Sequence, residues 1–199
     1  MLSDRDERRP LLTDPDVLEA LAHPVRLDLL TYLMAAGPAT ASTCARAVGD
    51  TPSNCSYHLR TLAGHDLVEA VQSTDRRQRP WRAKITGFSI DPIVDPETAQ
   101  GRSNAAVLSA SLALEQRLLS DYLAHRDHVS DAWREADSTS SYTLRVTPQE
   151  LGRVTAEIDA LLRPLIAAGR DDTPGDAELV QCGVYAFPRM GEPWQHPRR

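Results

Sequence analysis

Residues 51–84 read TPSNCSYHLRTLAGHDLVEAVQSTDRRQRPWRAK, and their order decides the fold. Thr51-Pro52 is a helix start: a hydroxyl that can cap, then a proline whose missing N–H costs nothing in the first turn. Cys55, Leu59 and Leu62 follow at i, i+4 and i+7 as one apolar stripe, and Gly64 is a natural stop. Residues 67–72 and 81–85 are short strand-like runs. The turn-like stretch 75–80 lies between them, and residues 76–84 hold Arg76, Arg77, Arg79, Arg82 and Lys84 with no acid. A short helix followed by a basic hairpin is an arrangement that can lie against a polyanionic duplex.

Upstream, Thr13-Asp14-Pro15 opens a first helix whose apolar face is Val17, Leu18 and Leu21. His23-Pro24 interrupts it, because the residue before proline is pushed out of helical angles. Val25, Leu29, Leu30 and Leu33 recur at helical spacing over a second helix, 24–36, which Gly37-Pro38 stops. A third helix spans 40–48 with Gly49 at its end, only three residues before Pro52. That is helix-turn-helix spacing, and the hairpin after it makes a winged helix over 13–90. Residues 1–12 are charged and read as a flexible N-terminus.

Downstream, Asp91-Pro92, Asp95-Pro96 and Gly101 mark an aperiodic linker, 91–102. A long helix is expected over 103–136, with Leu108, Leu112, Leu119, Tyr122, Val129 and Trp133 on one broad stripe suited to pairing. Residues 141–146 alternate like a strand. Thr147-Pro148-Gln149-Glu150 resembles a capping box and opens an amphipathic helix to about 168, bent at Pro164. Residues 178–187 read as a second strand. The fold class expected is mainly α with small β: an N-terminal winged helix-turn-helix, a long dimerisation helix, and a C-terminal β-α-β unit, the last two forming a dimerisation and regulatory region over 103–199.

The net charge of the 199-residue chain is −6, which by itself argues against a nonspecific nucleic-acid binder. The distribution qualifies this. Residues 1–90 hold 11 cations against 11 acids, and residues 91–199 hold 11 against 17, so the deficit lies in the second half. Three widely spaced cysteines, Cys44, Cys55 and Cys182, form no disulfide framework. No apolar run is long enough to span a membrane, and MLSDRDERRPLL lacks the apolar stretch of a signal peptide. The expectation is a cytoplasmic protein without a membrane partner.

The runs ALAHPVRLDLLTYL (20–33) and SNCSYHLRTLAGHDLVE (53–69) resemble the ArsR-like winged-helix repressors. Ser56, His58, Leu59, Leu62, Leu67 and Val68 fall on that family's positions, and Asp66 stands where the family usually has Gly. The resemblance covers about 75 residues; the long helix and β-α-β tail are more loosely similar to those of larger actinomycete members. It implies a homodimeric, DNA-binding transcriptional regulator, often a repressor. Many members sense metals through paired cysteines on the third helix. Here only Cys44 stands there, so metal sensing is not carried over.

The candidate interface follows from the fourth helix. With Cys55, Leu59 and Leu62 inward, Thr51, Ser53, Asn54, Ser56, Tyr57 and Arg60 are left to face a major groove. Asn can pair bidentately with adenine and Arg with guanine. Arg76, Arg77, Arg79 and Arg82 on the hairpin suit phosphates or a minor groove. His58 reads as half-buried, bonded to backbone or a neighbouring helix, with a phosphate contact as its alternative. Asp121, His125 and His128 have a helical spacing that could bind metal, but such spacings are common by chance, and no metal or cofactor is expected. No catalytic motif is present, and the chain is not expected to be an enzyme. The partners expected are double-stranded DNA, a second copy of the chain and, as a further option, a small-molecule effector. The rival reading is a winged-helix protein-interaction module with no DNA role, motivated by the acidic balance.

Overall fold

A computed structural model describes residues 10–72, 79–166 and 172–189. The elements run β1 (Leu11–Leu12), α1 (Pro15–Leu21), α2 (Pro24–Ala36), α3 (Ala41–Val48), α4 (Pro52–Gly64), β2 (Val68–Ala70), β3 (Trp81–Ala83), β4 (Ser89–Ile90), α5 (Ala99–His125), α6 (Asp131–Ala136) and α7 (Pro148–Leu162), with single 3₁₀ turns at Arg126–His128 and Arg163–Leu165. The mainly helical class with an N-terminal winged helix-turn-helix and a long helix is what the sequence led us to expect.

Three of the four helices of the N-terminal half, α1, α3 and α4, start at a side-chain cap, while α2 starts at His23-Pro24 without one. Asp14 Oδ1 accepts the Asp16 N–H, Thr40 Oγ1 the Thr43 N–H and Thr51 Oγ1 the Asn54 N–H. These side chains satisfy backbone donors that have no carbonyl partner within the helix. Gly49 ends α3 at φ 70, a left-handed angle that glycine adopts without steric cost, and the Asp50 N–H returns to the Ala45 carbonyl. This tight turn sets α4 against α3 and α2.

The apolar stripes then meet in one core. Leu18, Leu21, Leu29, Leu30, Cys44, Cys55, Leu59 and Leu62 are fully buried, joined by Val68 of the hairpin and Val107 of α5. Each such leucine contributes about 1.5–3 kcal/mol of transfer free energy. The wing is the antiparallel pair β2–β3, with Val68 opposite Ala83 and Ala70 opposite Trp81; Trp81 also bridges back to Ala39 through backbone bonds of 2.8 and 2.9 Å. The hairpin is thereby tied to the end of α2.

Asp66 enters this hairpin at φ 61. This left-handed angle explains why glycine is usual there in the resembling family, and Asp is among the residues that tolerate it. Its carboxylate pairs with Lys84 of the wing. Asp66→Val should therefore lose about 1–2 kcal/mol in urea denaturation, while Asp66→Gly should stay within about 1 kcal/mol of the parent.

Several expectations need correction. Leu11–Leu12 is not frayed: it runs parallel to β4, with Leu11 opposite Ser89 and Leu12 opposite Ile90. The long helix begins at Ala99, inside the stretch 91–102 read as linker, capped by Thr98 Oγ1 on the Gly101 N–H. Gly101 packs so closely on the backbone of Asp95 and Pro96 that a Cβ there would clash, which is why proline-rich 91–96 and a glycine occur together. The same helix stops at His125 rather than running to 136. Ser130-Asp131 restarts it as α6, and Asp137 accepts hydrogen bonds from Tyr122 and Arg126 that fold α6 back on the end of α5.

The tail differs most. Its helix α7 is present with the full capping box between Thr147 and Glu150, and it ends at Leu162 in the Arg163–Leu165 turn because Pro164 cannot donate to a continuing helix. The flanking segments 141–146 and 178–187 join no ladder among the described residues, so the β-α-β unit is not formed within one chain. Cys182, within the expected second strand, is exposed. No helix of the described residues is long and apolar enough to cross a membrane.

Candidate nucleic-acid interface

Helix α4 divides by side. Cys55, His58, Leu59 and Leu62 are buried against α2 and α3. Thr51, Ser53, Asn54, Tyr57 and Arg60 are exposed and Ser56 is half-buried. Tyr57 keeps 60% of its surface in solvent, so an aromatic ring and a guanidinium stand beside short polar groups on one open face.

Two of these groups carry local duties. Thr51 Oγ1 is the N-cap acceptor, and the Asn54 amide donates to Asp50 Oδ2 at 2.7 Å. Asp50 Oδ1 also accepts the Thr51 N–H at 2.6 Å. These bonds, the backbone one first and Asn54 second, hold the Asp50 carboxyl below its ordinary range. The sequence reading missed Asp50, although an acid four residues before an asparagine at a helix start was visible. It pins the Asn54 amide in one orientation and puts a negative charge beside the face. Asp50→Asn keeps the acceptor and removes the charge. It should raise affinity for duplex DNA several-fold, measured by fluorescence anisotropy at fixed salt.

His58 is packed inside, not poised for a phosphate. Its ring lies 4.5 Å from that of His23, centroid to centroid, and the Nδ1 atoms of both rings and Nε of Arg26 are buried without a hydrogen-bond partner. Burial, then the neighbouring His23 and Arg26, push the His58 pKa down, with a smaller opposing pull from Asp50. The unfolded chain takes up this proton near the ordinary imidazole value of about 6.5, and the folded chain only at lower pH. Stability is therefore level above about pH 6.5 and falls as pH drops below it toward the folded value. His58→Gln should flatten that part of a urea-stability profile between about pH 7 and 5.

The wing is described in part. Arg76 and Arg77 lie outside the described residues. Arg79 is exposed. Arg82 is exposed too, but its Nε donates to Glu69 Oε1 across the hairpin at 2.7 Å, so its charge is partly spent within the wing. The pairing follows from Glu69 lying directly opposite Arg82 in the ladder.

The other residues considered do not gather into a site. The His125 Nδ1–H donates to the Asp121 carbonyl at 2.8 Å, and among the described residues no group of three or more potential ligands is arranged to hold a metal. Cys44 and Cys55 are buried; burial, and secondarily Cys55, push the Cys44 thiol up to about 11. Burial likewise pushes the Cys55 thiol up. Both thiols are thus protonated at neutral pH and poor nucleophiles.

A family model described as a helix-turn-helix domain matches residues 21–71, which spans α2, α3, α4 and β2. No curated protein matches the chain. A solved structure of Lactococcus lactis ZitR, the C30AH42A mutant in apo form, is 16% identical over 69% of this chain and 83% of that chain, with a TM-score of 0.30, a likeness too loose to carry an argument. The class defined by the fold and its open polar helix is a winged helix-turn-helix protein, the architecture of DNA-binding regulators. Within it, this chain carries the helix-turn-helix domain at 21–71 and a long helix packed behind it.

Proposed function

We propose that the chain is a sequence-specific transcriptional repressor of ArsR-like type that acts as a homodimer on a pseudo-palindromic operator. The observation that carries the DNA role is the two-sided character of α4: an apolar side sealed in the core and an open polar side of Ser53, Asn54, Tyr57 and Arg60. On this reading Ser53, Asn54, Ser56, Tyr57 and Arg60 meet base edges and nearby phosphates, Thr51 presents its helix start, and Arg76, Arg77, Arg79 and Arg82 grip the backbone. Phosphate contacts fix position and base contacts select sequence.

The homodimer is supported by α5, which is apolar on two sides. Val107 is buried in the core of the helix-turn-helix. Leu108, Leu112, Leu119 and Leu123, spaced 4, 7 and 4, keep 59, 44, 50 and 54% of their surface exposed on another side. A seam of that spacing suits a second helix. Two copies of α4 would then enter successive major grooves about 34 Å apart.

Selection of bound genomic fragments, followed by sequencing, tests the reading. The expected result is an inverted repeat whose recovery falls steeply with salt. Absence of any enriched fragment at moderate salt, with a partner protein recovered instead, would favour the interaction-module reading and defeat this one.

A further inference from the structure

Beyond Leu114, no described residue is buried. The region nevertheless holds α7 and two extended segments, and sixteen large apolar side chains between Leu108 and Phe187 are exposed. At on the order of 100 Å² each, they leave roughly 1,600 Å² of apolar surface on one chain. Covering this surface in two copies removes roughly 3,000 Å², inside the range of about 2,000–5,000 Å² for obligate homodimers.

The backbone points the same way. In 141–146, Tyr142, Leu144 and Val146 alternate with Ser141, Thr143 and Arg145, which suits a strand with one wet face. In 178–187, Leu179, Val180, Val184, Tyr185 and Phe187 put exposed apolar groups on both faces, which suits a strand covered on both. Gly183 of this second segment lies against α5: a Cβ there would come within 2.6 Å of Glu115 Oε2. Glu115 lies between Leu112 and Leu119 of the exposed seam in sequence, so Gly183 comes up to α5 at the level of that seam.

We infer that 141–146 and 178–187 of two copies of this chain assemble into one intermolecular sheet, with the two 178–187 strands paired at its centre and the 141–146 strands outside them. The inference rests on the homodimer proposed above and adds what completes it: the C-terminal half has its core only in the pair. Each chain brings both strands about one two-fold axis, so the central contact is isologous, and the 141–146 strands, each with one wet face, form the two edges. A different protein would have to match the same doubled surface without that symmetry.

Amide hydrogen exchange of the full chain, without DNA, above and below its dimerisation midpoint tests this. We expect both segments to be protected in the dimer and to lose that protection on dilution, while residues 15–64 stay protected. Gln181→Pro, which removes a ladder donor, should weaken dimerisation at least tenfold, and Gln181→Ala should not. Cys182, the one exposed thiol among the described residues, should join two chains through a short bis-maleimide in the dimer. A dimer whose two segments exchange freely overturns the sheet and spares the homodimer; protection that survives in the monomer means pairing within the chain and also overturns it. A chain monomeric at all concentrations overturns both. Fragment binding in the same samples is scored separately, so a protected dimer that binds no DNA overturns the DNA reading alone.

Discussion

Leu59→Ala is expected to lose about 2–5 kcal/mol of folding free energy, the largest effect of any single change considered. Leu59 is fully buried at the centre of α4, where the packing of α2 and α3 meets the start of the wing. Truncation removes the transfer free energy of the side chain and leaves a cavity that rigid helix packing cannot close. A domain of this size has a total stability of about 5–15 kcal/mol, so the variant should sit near its unfolding limit. Urea denaturation followed by circular dichroism gives the number. A loss under about 1 kcal/mol would mean that α4 is not held by this core. Arg60→Ala, on the open side of the same helix, is the internal contrast and should leave stability within about 0.5 kcal/mol.

Replacing Arg76, Arg77 and Arg79 together by Ala should cost about 10²–10³-fold in affinity for all duplex sequences at about 0.1 M salt. Removing one arginine from a phosphate lowers the slope of log K against log salt by about 0.9, so removing three flattens it by nearly three. The chain as a whole is acidic, at −6, and the wing is where its positive field is concentrated. Anisotropy titrations between about 50 and 300 mM salt read both quantities. Unchanged affinity and slope would remove the wing from the interface. Because Arg82 is already paired with Glu69, Arg82→Ala should cost much less than any one of the three.

The winged helix was legible because its signals are local. Thr40, Thr51, Gly49 and Gly64 punctuate the helices, and apolar residues at i, i+4 and i+7, Cys55, Leu59 and Leu62 in α4, choose the buried side. Asn54 and Arg82 are different. Their placement on open faces was readable, but the partners that occupy them, Asp50 and Glu69, depend on side-chain geometry at a helix start and on ladder register, which spacing alone does not fix. The breaks in the long helix were missed because Leu119, Tyr122, Val129 and Trp133 continue a plausible stripe, and the Asp137 hydrogen bonds that fold the chain back lie outside that pattern. The expected strands at 141–146 and 178–187 rested on side-chain pattern alone. A strand also needs a neighbour, and among the described residues neither segment has one.

Asp28 on α2 is only 8% exposed and accepts a hydrogen bond from Arg117 Nη2 at 2.6 Å, eighty-nine residues away along the chain. Together with Val107, this fastens the first five turns of α5 to the helix bundle. The long helix is thus less a tether than a rigid stalk. In the homodimer proposed above, the angle at which two stalks cross would fix the span between the two copies of α4, so a shift at that crossing would be felt at the proposed operator as a change of pitch.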